Sequence, residues 1–529
     1  MAGRDLILPI RESASDRKPP SGTKEERAMS LPSAADTVVV GAGSAGCVVA
    51  NRLSADPARG VLLLEAGDDT PLPPALRSLD FRAAVRDVSR HWPGLRARRG
   101  SAQRPRLLLQ GRGVGGTSAI NGLIAMWPMP EDFDEWAALG CDGWTHRDVS
   151  PSLSRISRDL DSKAGAGPMP VRRPPRPTWG SLDLALAEWA GDRGFPAAED
   201  HNAPGSTGLS PYAFSARDGG RVSAADAFLA PILDRPNLTV LARTVAERLI
   251  VRGGRVTGVC CRTPDGEVVI EAGEVVVTAG AVGSPALLLR SGIGPAHRLE
   301  RVGVAPVADL PGVGQGLQDH PALTLPIRLA APGAAPPRPT NCCLRFASGE
   351  SDGEANELML NALNEVGPGV GAVVLALFRP EARGRVEVTG AGLDDDLVVD
   401  LGLLGTERDL RRMRAGVARL ADLARHPAFE RVGSPVGADL LRGLARRPEE
   451  LDSWMAARCH EAWHLVGSCR MGDPADPATV VDPRGRVKGV AGLRVADASV
   501  IPRVPRSNTN LVTMAVADHM THPSRPGRE

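Results

Sequence analysis

A glycine-rich turn near the amino end of the 529-residue chain joins segments with different periodicities. The β-branched run TVVV at residues 37–40 is typical of a buried strand, and AGCVVANRLSAD at residues 45–56 is typical of a helix. A second apolar run, VLLLEAG, follows at residues 61–67. This order predicts a βαβ unit, and therefore an α/β fold with a parallel sheet.

The turn itself reads GxGxxG, formed by Gly41, Gly43 and Gly46, with Ser44 at the start of the helix. Because these glycines lack side chains, backbone N–H groups and the helix N-terminus can approach a pyrophosphate. Glu65 ends the second strand about 20 residues further on, where its carboxylate can accept hydrogen bonds from an adenosine ribose. The segment predicts a dinucleotide site and disfavours NADP, but it does not distinguish FAD from NAD.

Composition excludes several other functions. The 63 Lys and Arg residues nearly balance 62 Asp and Glu residues, which disfavours a nucleic-acid partner. No apolar stretch approaches the roughly 20 residues of a membrane span. The eight cysteines show no CxxC pairing, so we expect reduced, mostly buried thiols and no metal site. Without a secretory signal, the expected location is cytoplasmic.

Three further blocks carry a family resemblance. GRGVGGTSAING begins at Gly111, TAGAVGSPALLLRSGIGP spans Thr278 to Pro295, and WHLVGSCRMG, VADASVIP and SNTNLVTMAVADHM fill the carboxyl end. In this order they resemble the glucose-methanol-choline (GMC) oxidoreductases, over almost everything from Asp36 to His519. The resemblance implies an FAD-dependent enzyme that oxidises an alcohol CH–OH group to an aldehyde or ketone, with hydride passing to flavin N5.

The resemblance also implies an architecture. A Rossmann-like FAD-binding domain, expected from residues 36–149, 221–320 and 456–525, is interleaved with an α+β substrate domain. That second domain, expected from residues 150–220 and 321–455, should carry an antiparallel sheet. Residues 1–35 mix charges, Ser and Pro without apolar periodicity, so we expect a mobile extension there. A surface helix is predicted from Thr406 to Phe429, with Thr406 and Asp409 as a capping box.

Several positions match cofactor-binding residues of the family. The second glycine-rich loop is expected to lie against the flavin, and other matched positions are expected at the ribityl, pyrophosphate and adenine. The matched residues are Gly115, Gly116, Thr117, Ser118, Asn121, Val245, Asp497 and Ala498. Some relatives attach FAD covalently through a His two residues after the loop Ser, where this chain has Ile120. Noncovalent FAD is therefore predicted.

Catalysis requires a base near the alcohol oxygen. His464 matches the active-site His of the family, and Asn510 is the predicted second residue, which orients the alcohol. Asn508 is the alternative for that role or a helix N-cap. His460 is interpreted as structural or as a supporting residue. Asp319 and His320 are interpreted as structural, because neighbours in sequence seldom face one another.

Other interpretations remain open at this stage. One is a lyase or another non-oxidative enzyme on the same flavin scaffold, and others are an NAD-dependent dehydrogenase and a catalytically silent flavin-binding protein. The substrate is expected to be a small alcohol. A quaternary-ammonium alcohol would need an aromatic cage built largely from Trp residues such as Trp127 and Trp463. The electron acceptor, whether oxygen, a quinone or a redox protein, does not follow from any motif.

Overall fold

The computed structural model describes residues 32–330, 338–350 and 353–522. Its first sheet, called here the mixed sheet, has seven strands. Strand Ala34–Val40 lies between Val61–Leu64 and Gly266–Val277 and is parallel to both. Because helix Ser44–Leu53 connects the first two strands, the predicted βαβ unit is confirmed. The other strands of this sheet are Leu238–Leu241, Val245–Arg252, Arg255–Thr263 and Leu493–Val495.

A second seven-stranded sheet, called here the antiparallel sheet, has only antiparallel pairs among its described strands. Its three longest strands have eight to ten residues, and many of their apolar side chains are buried. In spatial order its main strands are Gly433–Pro435, Pro321–Leu329, Val370–Leu377, Leu358–Gly367, Cys342–Phe346 and Gly208–Pro211, and His460–Glu461 pairs with the second of these. The predicted fold class, with its antiparallel sheet, is confirmed.

Helices cover both sheets. Helix Ser44–Leu53 packs against the carboxyl-terminal helix Thr509–Thr521 in the core of the mixed sheet. Helix Glu407–Leu423 buries Met413 and Val417 against the antiparallel sheet. The remaining helices of six or more residues are Pro130–Ala138, His146–Ile156, Ser181–Asp192, Gly280–Arg290, Ala296–Arg301, Pro427–Val432, Ala438–Leu444 and Pro448–Arg458.

The predicted helix from Thr406 to Phe429 is wrong at its end. The Thr406 hydroxyl accepts the Asp409 N–H at 3.2 Å, as predicted, but the helix ends at Leu423. A new helix begins at Pro427, because a proline restricts the residue before it to extended backbone. The Asp409 carboxylate also accepts from the backbone of residues 381 and 382, so it ties this helix to the antiparallel sheet.

The predicted domain limits remain a prediction. The antiparallel sheet draws on residues 208–211 and 321–435, which fall in the predicted substrate segments, and on His460–Glu461, which fall outside them. Most of the predicted mobile extension lies outside the described residues, but Ala34 and Ala35 belong to a strand. All eight cysteines are buried and unbridged, as expected. No helix in the described segments is long and apolar enough to cross a bilayer.

Candidate active site

The three glycines of the first turn are required for different reasons. A Cβ at Gly46 would lie 1.8 Å from the Gly41 carbonyl oxygen, and one at Gly41 would lie 2.9 Å from the Thr278 carbonyl oxygen. Gly41 also has φ of 100°, where other residues are strained. At Gly43, by contrast, φ is −77° and a Cβ would meet no described atom within 4 Å. Packing within the protein therefore explains Gly41 and Gly46, while Gly43 borders an open space.

The second glycine-rich loop closes on the first, backbone against backbone. The Gly115 N–H donates to the Ala42 carbonyl at 2.8 Å. A Cβ at Gly116 would lie 2.8 Å from the Gly43 Cα, and both loop glycines have positive φ. We call this pair of closely approaching loops the glycine cradle.

Glu65 connects the two loops. Its buried carboxylate accepts backbone N–H groups of Ala42 at 2.9 Å, Gly67 at 2.8 Å and Gly113 at 2.9 Å. These bonds hold the shape of the glycine cradle, a role that the motif did not reveal. Contact between Glu65 and a ribose remains a prediction.

Side chains of the second loop are also engaged within the protein. Their partners hold the loop in shape, which leaves backbone groups and open edges for a ligand. Thr117 Oγ1 accepts the Gly111 N–H at 3.1 Å, Ser118 Oγ accepts the Ala224 N–H at 2.9 Å, and Asn121 Oδ1 accepts from Arg221 Nη1 at 3.0 Å.

Asp497 lies just after the strand Leu493–Val495 of the mixed sheet. Its buried carboxylate accepts from the Gly280 N–H at 2.7 Å and from the Ser284 hydroxyl at 2.5 Å. Burial raises the pKa of this carboxyl. Since its oxygens are occupied, Asp497 and the following Ala498 can reach a cofactor chiefly through their backbone.

Val245 is the first residue of the strand Val245–Arg252 in the mixed sheet. The N–H of the preceding Thr244 donates to the Glu65 carbonyl at 2.8 Å. This bond places Val245 beside the end of the second strand. Its predicted contact with adenine is compatible with this position and stays a prediction.

His464 lies where two chain segments pair with an irregularity. Residue Gln318 pairs with Val466, and Pro321 pairs with Glu461, so four residues on one segment face two on the other. Within this bulge Trp463 has φ of 60°, a left-handed conformation that is uncommon for a large side chain. The bulge turns the His464 ring towards His320.

Asp319 stabilises this bulge. Its Oδ1 accepts the backbone N–H of His320 at 2.7 Å and that of His464 at 2.9 Å. Its Oδ2 is buried without a hydrogen-bond partner among the described residues. Burial raises the pKa of Asp319 to about 8, so the carboxyl is mostly protonated at neutral pH.

The His464 ring makes two hydrogen bonds, one from each nitrogen. Its Nδ1 lies 2.9 Å from His320 Nδ1, and its Nε2 lies 2.9 Å from Asn508 Nδ2. His320 Nε2 lies 3.0 Å from the carbonyl oxygen of Pro505. We call this chain of four groups the histidine centre. His320 is therefore part of the site. The interpretation of Asp319 and His320 as structural did not include this contact.

The structure brings Asn508, and not Asn510, to His464. The Asn510 Oδ1 instead accepts the Ser44 hydroxyl at 2.7 Å, so this residue belongs to the glycine cradle. Asn508 occupies the N-cap position of the last helix, but its side chain makes no cap bond because its amide contacts His464. The placement corrects the preference for Asn510 as the partner of the base.

His460 lies apart from this chain of bonds. Its Nε2 contacts the Thr324 hydroxyl at 2.8 Å, and its Nδ1 lies 3.0 Å from the Glu461 carbonyl oxygen. Both contacts are within the edge of the antiparallel sheet, in keeping with the structural interpretation of His460.

Electrostatics keep both imidazoles of the histidine centre neutral. Burial lowers the pKa of His464 to about 4 and holds that of His320 well below its ordinary range. Asp319, His320 and His464 also offer possible metal-ligand atoms within 4.8 Å of one another. The bond between the two Nδ1 atoms uses the lone pair of one of them. The absence of a metal remains a prediction.

Comparisons with known proteins define the class. Two family models described as GMC oxidoreductase match residues 35–322 and residues 380–517. The 5-(hydroxymethyl)furfural oxidase of Methylovorus sp. (strain MP688) is 35% identical over 91% of this chain and 97% of the relative. An oxygen-dependent choline dehydrogenase of Sinorhizobium medicae (strain WSM419) is 32% identical over 92% of this chain and 95% of the relative.

Solved structures agree. The crystal structure of pyridoxine 4-oxidase from Mesorbium loti has a TM-score of 0.87 and 28% identity, over 94% of this chain and 100% of that one. The chain belongs to the GMC oxidoreductase family, whose members are FAD-dependent flavoproteins acting on alcohols. The residues present fit that cofactor, because the space beside Gly43, where the first turn opens the helix, is open.

Proposed function

We propose that this protein oxidises a primary alcohol on an apolar, ring-shaped body to the aldehyde, with His464 as the base and Asn508 as a donor to the alcohol oxygen. The observation that carries the proposal is the contact of a neutral His464 imidazole with the Asn508 amide at 2.9 Å. A base and a donor at one point suit an alcohol oxygen, which must lose a proton and carry partial negative charge.

The two side chains have complementary tasks. Because the pKa of His464 is lowered to about 4, its imidazole is unprotonated at neutral pH and can take the hydroxyl proton. Asn508 cannot act as a base, but its N–H groups can stabilise charge that develops on the oxygen. Once the proton has left, the carbonyl can form as hydride departs from the carbon.

FAD, when bound, supplies the hydride acceptor. The glycine cradle, Glu65 and the backbone at Asp497 and Ala498 are the groups that would hold it. Ile120, at the position matching the covalent attachment site of some relatives, has a buried aliphatic side chain that cannot form such a bond. We therefore propose noncovalent FAD.

The face of the antiparallel sheet next to His320 indicates the substrate class. Alternation places Ala322, Ala376 and Met359 in one cross-strand row, which ends at the cation Arg345. An adjacent row consists of Thr324, Val374, Asn361 and Cys343. Neither row contains an acid, and Phe378 and Met126 extend the same apolar cluster.

This wall suits an uncharged ring bearing a hydroxymethyl group. The name of the 35% identical relative also denotes such a compound, 5-(hydroxymethyl)furfural. A quaternary ammonium group would meet no acidic residue in these two rows. We therefore favour aromatic hydroxymethyl compounds over choline.

The test is anaerobic mixing of the purified holoenzyme with an alcohol panel, recorded as bleaching of the flavin absorbance. We expect bleaching by 5-(hydroxymethyl)furfural or benzyl alcohol, much faster than by choline. Product formation without bleaching would instead indicate a non-oxidative enzyme. Colourless protein that binds NADH would indicate an NAD-dependent dehydrogenase. Mixing the reduced enzyme with oxygen or with a quinone then identifies the acceptor.

A further inference from the structure

We propose that His320 is a positioning residue that fixes the proton of His464 on Nδ1 and so leaves Nε2 as the basic atom. The proposal rests on the proposed function, because it concerns the same proton transfer. It adds a residue that the sequence patterns had assigned to structure, and it states which nitrogen of His464 reacts.

The carbonyl oxygen of Pro505 can only accept a hydrogen bond. His320 Nε2, 3.0 Å away, must therefore carry a proton. Since a neutral imidazole has one donor and one acceptor nitrogen, His320 Nδ1 must be an acceptor. This assignment does not depend on how any side-chain amide is oriented.

The acceptor on His320 in turn fixes the proton of His464. Its Nδ1 lies 2.9 Å from the acceptor Nδ1 of His320, so it must be the donor of that bond. In a neutral His464 the proton is thus on Nδ1, and Nε2 carries a lone pair that can accept a hydrogen bond or a proton. That lone pair faces Asn508 Nδ2, a donor, at 2.9 Å. Base and oxygen-stabilising donor therefore meet at one point.

The surroundings of His320 keep it neutral and fixed. Its ring is fully buried and stacks on Phe378, with ring centroids 4.1 Å apart and planes tilted by 19°. Burial, the neighbouring His464 and the Arg379 guanidinium all oppose a positive charge on it. A protonated His320 would donate from both nitrogens, which would force the His464 proton onto Nε2 and remove the base.

The proton balance is simple. The alcohol O–H bond breaks and an N–H bond forms at His464 Nε2, which makes His464 an imidazolium. The proton on Nδ1 does not move, and its bond to His320 persists in both states. His320 thus accepts the Nδ1–H of His464 and fixes the orientation of that ring. It takes up no proton itself.

Two variants separate the two bonds of His320. In His320→Asn, the side-chain oxygen can occupy the place of Nδ1, so the acceptor for His464 is kept while the bond to Pro505 is lost. In His320→Gln, the amide nitrogen can occupy the place of Nε2, so the bond to Pro505 is kept while the acceptor is lost. Both replace a buried ring by an amide, which makes each a control for the other.

The first readout is independent of turnover. Long-range ¹H–¹⁵N correlation spectra of histidine-labelled holoenzyme, with His464→Gln used for assignment, report the protonated nitrogen of His464. We expect protonated Nδ1 in the wild type and in His320→Asn, and a population protonated at Nε2 in His320→Gln. The second readout is the rate of anaerobic flavin reduction, expected to fall about 100-fold in His320→Gln and less than about 10-fold in His320→Asn.

Equal tautomers and equal reduction rates in the two variants would overturn the proposal. If neither variant folds, protonated Nε2 in the spectrum of the wild type would overturn it alone, and protonated Nδ1 would support it. The proposed function fails separately, namely if His464→Gln reduces its flavin as fast as the wild type. Slow flavin reduction in His464→Gln together with flavin reduction at the wild-type rate in His320→Gln would reject only the role of His320.

Discussion

The glycine cradle and the histidine centre are built on opposite principles. The cradle is made of backbone from two loops: the missing side chain at Gly116 lets the loops meet, and the missing side chain at Gly43 leaves an open space. The histidine centre is made of side chains from three distant segments, around residues 320, 464 and 508, which meet through hydrogen bonds of 2.9 Å. A cofactor site of the first kind tolerates no added atoms, whereas a catalytic site of the second kind tolerates no lost ones.

The difference also decides how each region can fail. Adding a side chain to the cradle should remove the cofactor and with it all activity. Removing a side chain from the histidine centre should leave the cofactor in place and slow only the chemistry.

Gly43→Asp and Gly46→Ala should both yield protein without flavin, but for different reasons. At Gly43 a Cβ meets no described atom, so the apo-protein should melt like wild-type apo-protein and fail only to bind FAD. At Gly46 a Cβ would lie 1.8 Å from a backbone oxygen. The free energy of unfolding of the apo-protein should therefore fall by at least about 1–3 kcal/mol. Flavin absorbance and thermal melts of both apo-proteins check this. Full flavin occupancy in Gly43→Asp would contradict the cradle.

His464→Gln should keep its yellow flavin and lose about 10²–10⁴-fold in the rate of anaerobic flavin reduction, because the base is gone. The wild-type rate should also fall as the pH drops towards about 4, since the neutral imidazole is the active form and its pKa is lowered to about 4. This acid limb should vanish in His464→Gln. An unchanged rate in the variant would remove His464 from the mechanism.

Asn508→Ala and Asn510→Ala form a matched pair. Asn508 contacts the base, so its loss should slow flavin reduction by about 100-fold with little change in flavin content. Asn510 contacts Ser44 at the glycine cradle, so its loss should weaken FAD retention and change the reduction rate only a few-fold. Stopped-flow rates and flavin content after dialysis give both quantities. The reverse pattern would make Asn510 the partner of the base, as the family resemblance implies.

Asp319→Asn should have the smallest effect, visible in the pH dependence of stability. Burial raises the folded-state pKa of Asp319 to about 8, above its ordinary value, so its favourable contribution exists at low pH and is lost as the pH rises towards 8. An Asn keeps the acceptor oxygen and cannot ionise. The variant should therefore gain a few degrees in Tm over the wild type at pH 9 relative to pH 6. A constant difference between the two pH values would argue against a protonated Asp319.

Much of the fold and of the cradle could be predicted because their signals are local. The GxGxxG turn lies between its own strand and helix, and the strands from Leu238 to Val277 follow one another with short turns. The predicted helix from Thr406 is too long, because the apolar period continues past the break before Pro427. A periodic pattern alone does not mark the end of a helix when the next one has the same phase.

The histidine centre was predicted only in part, and the reason is geometric. His464 was identified from its motif, but His320 reaches it through a bulge with Trp463 at φ of 60°, which no sequence pattern announces. Asn508 and Asn510 are two residues apart at a helix start, where they point in different directions. Which of them faces the base depends on how that helix docks, and docking is set by tertiary contacts.

The most direct test of the account is the spectrum of the purified protein before and after acid precipitation, followed by anaerobic addition of 5-(hydroxymethyl)furfural to the untreated wild type and His464→Gln. We predict that flavin is released into the supernatant, that the wild-type flavin bleaches, and that the variant flavin stays oxidised on the same timescale. Protein without flavin even after FAD is added back, or equal bleaching of both proteins, would contradict it.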